Sequence, residues 1–201
     1  MGGLILSNEK RTPGKVFKNV YSTLLLIFST VLVLAAIFTD QTTLSKEVHS
    51  ALAFVVLWVA LIWLSMVEGS QASLVGLPPV DMALYEESHP VTHKIMKIVN
   101  TGENLDRYLM GRQFLVLALV FIENLCGDSI EGASVLGLPQ GVINVFLASG
   151  LALFFMTAMI AKISAQVNAS RCMLDYVNNH FATFTLYVSL FIEMSGLLHI
   201  C

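Results

Sequence analysis

The sequence predicts an all-α fold, a polytopic membrane bundle of about five transmembrane helices. Three observations point there. First, 56% of the 201 residues are apolar and only 12% are charged, against roughly 25% charged in a typical soluble domain. A soluble globule of this size has no interior large enough for that much apolar side chain. Second, apolar runs close to the ~20 residues that a ~30 Å hydrocarbon core demands recur along the chain. Third, lysine and arginine alternate between the connecting segments. Lys10, Arg11, Lys15, Lys18, Lys94, Lys97, Arg107, Arg112, Lys162 and Arg171 fall on one side of a five-span map, and Lys46 alone falls on the other. The positive-inside rule then places the amino terminus in the cytoplasm and the carboxyl terminus outside.

The elements follow in order. Residues 1–19 form a basic cytoplasmic tail, and 20–201 form one transmembrane domain. The first span is 20–38, closed by Asp40; a cleaved signal peptide would have a shorter apolar core of ~7–15 residues. The second is 51–77, ended by Pro78-Pro79. The cytoplasmic loop 78–107 places Val91, Ile95, Ile98 and Val99 at helical spacing, which predicts a short amphipathic helix. Pro90 weakens the start of that helix. His89 and His93 in the same loop lack a third ligand, so they read as surface histidines and no metal is expected. The third, fourth and fifth spans are 108–126, 142–163 and 181–200. Cys126, Cys172 and Cys201 show no paired spacing and read as small apolar residues. The sequon at Asn168-Ala169-Ser170 lies inside on this map. A net charge of -3 without a long basic run argues against nucleic acid as a partner.

Two segments echo one another. Glu68-Gly69-Ser70-Gln71-Ala72-Ser73-Leu74-Val75-Gly76-Leu77-Pro78 resembles Glu131-Gly132-Ala133-Ser134-Val135-Leu136-Gly137-Leu138-Pro139, which is two residues shorter. Glycine-broken segments entering from opposite faces are a mark of transporters built on inverted symmetry; common turn wording is the alternative. Phe121-Ile122-Glu123 likewise matches Phe191-Ile192-Glu193.

Ionisable groups in hydrocarbon are costly and face a cavity or a partner. Glu68, Arg112, Glu123 and Glu193 qualify, accompanied by Ser70, Gln71, Gln113 and Asn124. Gly69 and Gly111 adjoin the first two sets, where a glycine permits a helix break that frees carbonyls. Glutamine amides donate and accept, so Gln71 and Gln113 suit a neutral polyhydroxylated solute. Carboxylates suit a small hard cation, so Glu123, Glu193 and Asn124 are the candidate cation ligands. The alternative is that Glu68 and Arg112 simply pair. No nucleophile stands with a base and an orienting partner, which argues against an enzyme, and no residue is assigned a catalytic role.

At these residues the chain resembles the silicon (silicic acid) transporter family. The family's hallmark is a paired EGxQ and GRQ, here Glu68-Gly69-Ser70-Gln71 and Gly111-Arg112-Gln113. The wording around them is also similar: Leu84-Tyr85, Ser88-His89-Pro90, and Asn104-Leu105-Asp106-Arg107-Tyr108-Leu109-Met110 leading into the second motif. The resemblance implies sodium-coupled uptake of silicic acid across the plasma membrane, serving silicification, with both motifs at the solute pathway. Sodium would be the coupling ion, with no organic cofactor. Many members have ten spans with the motif pair in each half, so this chain resembles the short five-span form or one half of a longer protein. Five spans hold few helices to enclose a polar path, so a parallel homodimer in membrane lipid is expected. A passive channel for a small neutral solute and a non-transporting assembly subunit are the competing readings.

Overall fold

The computed structural model describes residues 13–78 and 80–196. Lys10 and Arg11 of the basic tail, Pro79, the last residues of the fifth predicted span and Cys201 lie outside the described residues. Helix α1, Pro13–Phe38, is a 26-residue apolar helix. It ends where Asp40 turns left-handed, at φ 55°. A short helix α2, Thr43–Glu47, follows, opened by a reciprocal cap between Thr42 and Ser45. Helix α3, Ser50–Gly76, is continuous over 27 residues. At 1.5 Å per residue it reaches ~40 Å, more than a bilayer core.

The loop after α3 contains the predicted amphipathic helix, α4, Pro90–Val99. Pro90 starts this helix and does not weaken it, because the first turn needs no N–H from that residue. The first-turn N–H groups of Val91 and Thr92 donate to Asn178 Oδ1 at 3.1 and 3.3 Å. Thr92, Ile95, Met96 and Val99 are buried. Helix α5, Asn104–Gly127, crosses back. Thr43 N–H donates to the Asp128 carbonyl at 2.9 Å and Ile130 N–H to Gln41 at 3.0 Å. These bonds tie the exit of α5 to the corner after α1. We call that end of the bundle the upper end. The lower end is where α1 starts, α3 finishes and α5 begins.

The fourth predicted span, 142–163, is not one helix. Gln140–Ile143 (α6) continues as a π-helical stretch, Asn144–Ala148, and stops at Gly150, whose φ is 72°. The chain then descends as one composite helix of spanning length, Leu151–Arg171. It consists of α7 (Leu151–Met156), a π-helical stretch Thr157–Ile163 and α8 (Ser164–Arg171). The shift moves Lys162 from the inner end of the predicted fourth span, where the basic count placed it, into the body of a spanning helix. The sequon at Asn168 lies in α8.

Helix α9, Met173–Val177, and helix α10, His180–Met194, complete the bundle. Three contacts give α10 its direction. Phe181 and Phe184 lie against Trp63 in the middle of α3, at ring separations of 6.2 and 5.6 Å. Ser189 backs onto Gly111, and Glu193 meets Arg107 near the start of α5. Numbers on α10 rise as those on α5 fall, so the two helices run in opposite directions. The five-span map has them parallel, with the chain leaving at the upper end. Instead α10 descends toward the lower end. At 15 residues it measures ~22 Å, short of a full crossing. Among the described residues, four helices are long and apolar enough to cross a membrane, and α10 is a fifth, shorter apolar helix.

Two apolar clusters hold these elements. One packs Leu32, Leu57, Leu61, Leu64, Leu119 and Met156 in the upper body. The other gathers Leu74, Leu77, Ile95, Met96, Tyr108 and Leu186 around α4. Phe17, Leu24, Ile27, Ile62, Leu117 and Phe191 remain more than half exposed or nearly so, which fits helices whose outer faces meet lipid.

The glycine-break expectation is corrected. Gly69 and Gly111 both lie inside unbroken helices. They are contact notches: a Cβ on Gly69 would fall 2.2 Å from the Tyr176 ring, and one on Gly111 would fall 1.9 Å from the Ser189 carbonyl oxygen. The echoed segments also differ. The first copy is helical to Gly76. The second is irregular, with Gly132, Leu136 and Gly137 at φ 74°, 56° and 65°. Similar wording adopts two conformations: the first copy continues an established helix, whereas the second follows the end of α5 and turns on three left-handed residues. The inverted-symmetry reading therefore has no support here.

Candidate functional site

Glu68 lies eight residues before the end of α3 and Arg112 eight residues after the start of α5. Antiparallel packing brings them to one level, ~12 Å inside the lower end. Arg112 Nη2 donates to Glu68 Oε2 at 2.7 Å, and both side chains are buried. Gln166 of α8 donates to the same oxygen at 3.2 Å. Lys162 Nζ stands 3.5 Å from Glu68 Oε1. The two motifs thus join as one cluster, 44 residues apart in sequence. The pairing alternative for Glu68 and Arg112 is the observed arrangement. Arg112 Nε remains buried without a hydrogen-bond partner among the described residues.

The remaining motif residues divide. Gly69 receives the ring of Tyr176, whose hydroxyl donates to the Ser65 carbonyl at 2.8 Å. Ser70 is buried, its hydroxyl 3.4 Å from Met66 Sδ. Gln71, one turn after Glu68, is half-buried, and Gln113 is exposed. Gln113 shares the outer stripe of α5 with Met110, Phe114, Leu117 and Phe121. Within one chain, therefore, Gln113 faces out and Gln71 borders the cluster.

The candidate cation ligands also divide. Glu193 is nearly buried and accepts from Arg107 Nε at 2.8 Å. That carboxylate already has a cation. Glu123, four residues from the end of α5, is fully buried. Its Oε2 accepts from Thr157 Oγ1 at 2.7 Å, while Oε1 has no partner among the described residues. A cavity of about 250 Å³ opens beside it, lined by Glu123, Asn124, Gly150, Thr157 and Lys162 among others. An acceptor-only carboxylate, a hydroxyl oxygen and a nearby amide are hard oxygen donors of the kind a small cation takes.

Hydropathy and motif spacing do not single out Thr157, Lys162, Gln166 or Tyr176 as site residues. Threonine and tyrosine give no hydropathy signal. Lys162 was legible only after Ser149-Gly150 is recognised as the break that starts the spanning helix late. Elsewhere, His89 Nε2 contacts Asp175 at 3.1 Å, and no group of three metal-ligating side chains occurs among the described residues.

A family model described as "Silicon transporter" matches residues 10–201. No curated protein and no solved structure matches the chain.

Proposed function

This chain belongs to the silicon transporter family, membrane proteins that carry silicic acid, and we propose that it couples silicic acid uptake to sodium at the plasma membrane. The observation that carries this reading is the buried Glu68–Arg112 pair, which joins the EGSQ and GRQ motifs in one cluster. Silicic acid is a neutral tetrahedron of hydroxyls near pH 7, so its site must match donors and acceptors. Gln71 borders the cluster and supplies both. Gln113 faces outward on α5, where an amide against lipid is unfavourable. A second copy packed on that stripe covers it, which supports a homodimer. Sodium is assigned to the Glu123 cavity, because Glu193 is already matched by Arg107. The basic residues of the tail and of the 78–107 loop support a cytoplasmic lower end; on that reading the Glu123 cavity lies toward the outside, where sodium is abundant.

The test is silicic acid uptake into proteoliposomes with and without an inward sodium gradient. Gradient-driven accumulation supports the reading. Equal uptake in both conditions identifies a passive channel, and no uptake identifies an assembly subunit. Gln71→Leu removes a hydrogen-bonding group worth ~1–3 kcal/mol in a dry site. It is expected to weaken the apparent affinity for silicic acid roughly five- to a hundredfold, while the protein remains monodisperse on size exclusion.

A further inference from the structure

We propose that Lys162 is an internal cation shared between Glu68 and Glu123, and that it competes with the transported cation for the Glu123 cavity. The proposal rests on the assignment of a cation to that cavity. It begins with the charge inventory of the bundle interior. Arg107 matches Glu193. Arg112 matches Glu68. Glu123 and Lys162 remain. Yet Lys162 stands beside Glu68, a carboxylate that already has Arg112 and Gln166. Glu123 keeps one oxygen, Oε1, buried and unpartnered among the described residues. The surplus cation sits on the satisfied carboxylate, and the unsatisfied one lines the cavity that the same lysine also lines.

The placement of Lys162 allows exchange between the two. It follows Thr157, which touches Glu123, by five residues, and precedes Gln166, which touches Glu68, by four. At the α-helical rise those steps are at most ~7.5 and ~6 Å along the axis. A four-carbon lysine stem covers either distance. The π-helical stretch Thr157–Ile163 supplies the facing. With i→i+5 bonding, residues five apart stack on one side, whereas in an α-helix they diverge. Thr157 and Lys162 therefore line the same cavity.

The hold on Lys162 is loose. Its 3.5 Å approach to Glu68 is an ion-pair distance, longer than a good hydrogen bond, and its side chain is 40% exposed. Arg112 and Gln166 keep Glu68 satisfied after the ammonium leaves. Two arrangements follow. With the ammonium on Glu68, Glu123 is open to a cation. With the ammonium on Glu123, every interior carboxylate has a protein cation, and the cavity is closed to any other. An entering cation thus displaces Lys162 toward Glu68, inside the EGSQ motif. Occupancy at the upper cavity is communicated to the lower cluster by one side chain, a coupling between two sites through a two-state element.

The test measures binding of radioactive sodium to the purified full chain in detergent, which needs no transport. Lys162→Gln and Lys162→Met remove the competitor, and Met keeps the apolar stem. Both are expected to lower the half-saturating sodium concentration by roughly tenfold, within the usual range for coupled sites. Glu123→Gln in the same assay is expected to abolish saturable binding. If Glu123→Gln fails to bind and the two lysine variants bind as the natural chain does, the shared-lysine inference is wrong and the cavity assignment stands. If Glu123→Gln binds sodium normally, the cavity assignment is wrong and the inference falls with it. If neither lysine variant yields folded protein, Lys162 is a structural counter-charge and the inference is overturned.

Discussion

Phe121-Ile122-Glu123 and Phe191-Ile192-Glu193 close two packed helices with the same three residues, and their carboxylates have different surroundings. In both, the phenylalanine is outward, at 63% and 67% exposure, and the glutamate is inward, at 0% and 7%. Helical periodicity accounts for that shared facing, since the first and third residues point to opposite sides. Glu193 meets an arginine. Glu123 meets one hydroxyl and a cavity. A buried carboxylate is thus a structural ion pair at one end of the bundle and an available ligand at the other. The difference lies in which helix packs opposite, and nothing within the tripeptide decides it.

The two carboxylate environments differ most in what happens when a cation is removed from a matched carboxylate. Arg112→Met leaves Glu68 buried with Gln166 and a loosely held lysine. It is expected to destabilise the chain by about 3–5 kcal/mol, the usual cost of orphaning a buried charge. Adding Glu68→Leu is expected to recover much of that loss. Thermal melting followed by size exclusion reads both. Recovery absent in the double variant would mean that Arg112 acts by more than pairing.

Next in size is Gly111→Ala, which tests how α10 is held at the matched end. Its methyl would meet the Ser189 backbone, which has no flexible end to move aside. The expected loss is about 1–3 kcal/mol, as for overpacking. Gly141→Ala, with open space around it, serves as the neutral control in the same melt.

The same substitution at the two carboxylates separates their roles. Glu193→Gln removes the partner of a half-exposed arginine and is expected to cost roughly 1–2 kcal/mol, discounted for solvent around Arg107. Glu123→Gln orphans no cation. It is expected to leave the stability unchanged or raise it slightly, by under ~1 kcal/mol, while sodium dependence of uptake is lost. Equal stability losses in the two variants would erase the distinction.

The last check carries no energetic effect. Cysteines placed at Ser195 and Glu103, in a chain otherwise freed of cysteine, are expected to be labelled from the same side of the membrane, because α10 descends beside α5. Labelling from opposite sides would restore the five-span map.

Much of the fold was legible in the sequence. Long apolar runs imply spanning helices, because lipid leaves backbone groups no other way to be satisfied. The loop helix α4 was visible from its periodicity. Of the site, the rare ionisable residues were legible as buried, and the motif pair as one unit. These are local properties, set within a turn or two of helix. Three features required the tertiary structure. Gly69 and Gly111 looked like breaks; only the Tyr176 ring and the Ser189 backbone beside them show that they are notches. The direction of α10 follows from Trp63, Gly111 and Arg107, residues 70 or more positions away. The partners of Glu123 and Glu68 on the composite helix Leu151–Arg171 depend on a left-handed turn at Gly150 and a π-helical stretch that reset its register. Hydropathy reports that a charged group is buried. Which counter-charge reaches it depends on helix order, direction and rotation, and those are decided by packing between distant segments.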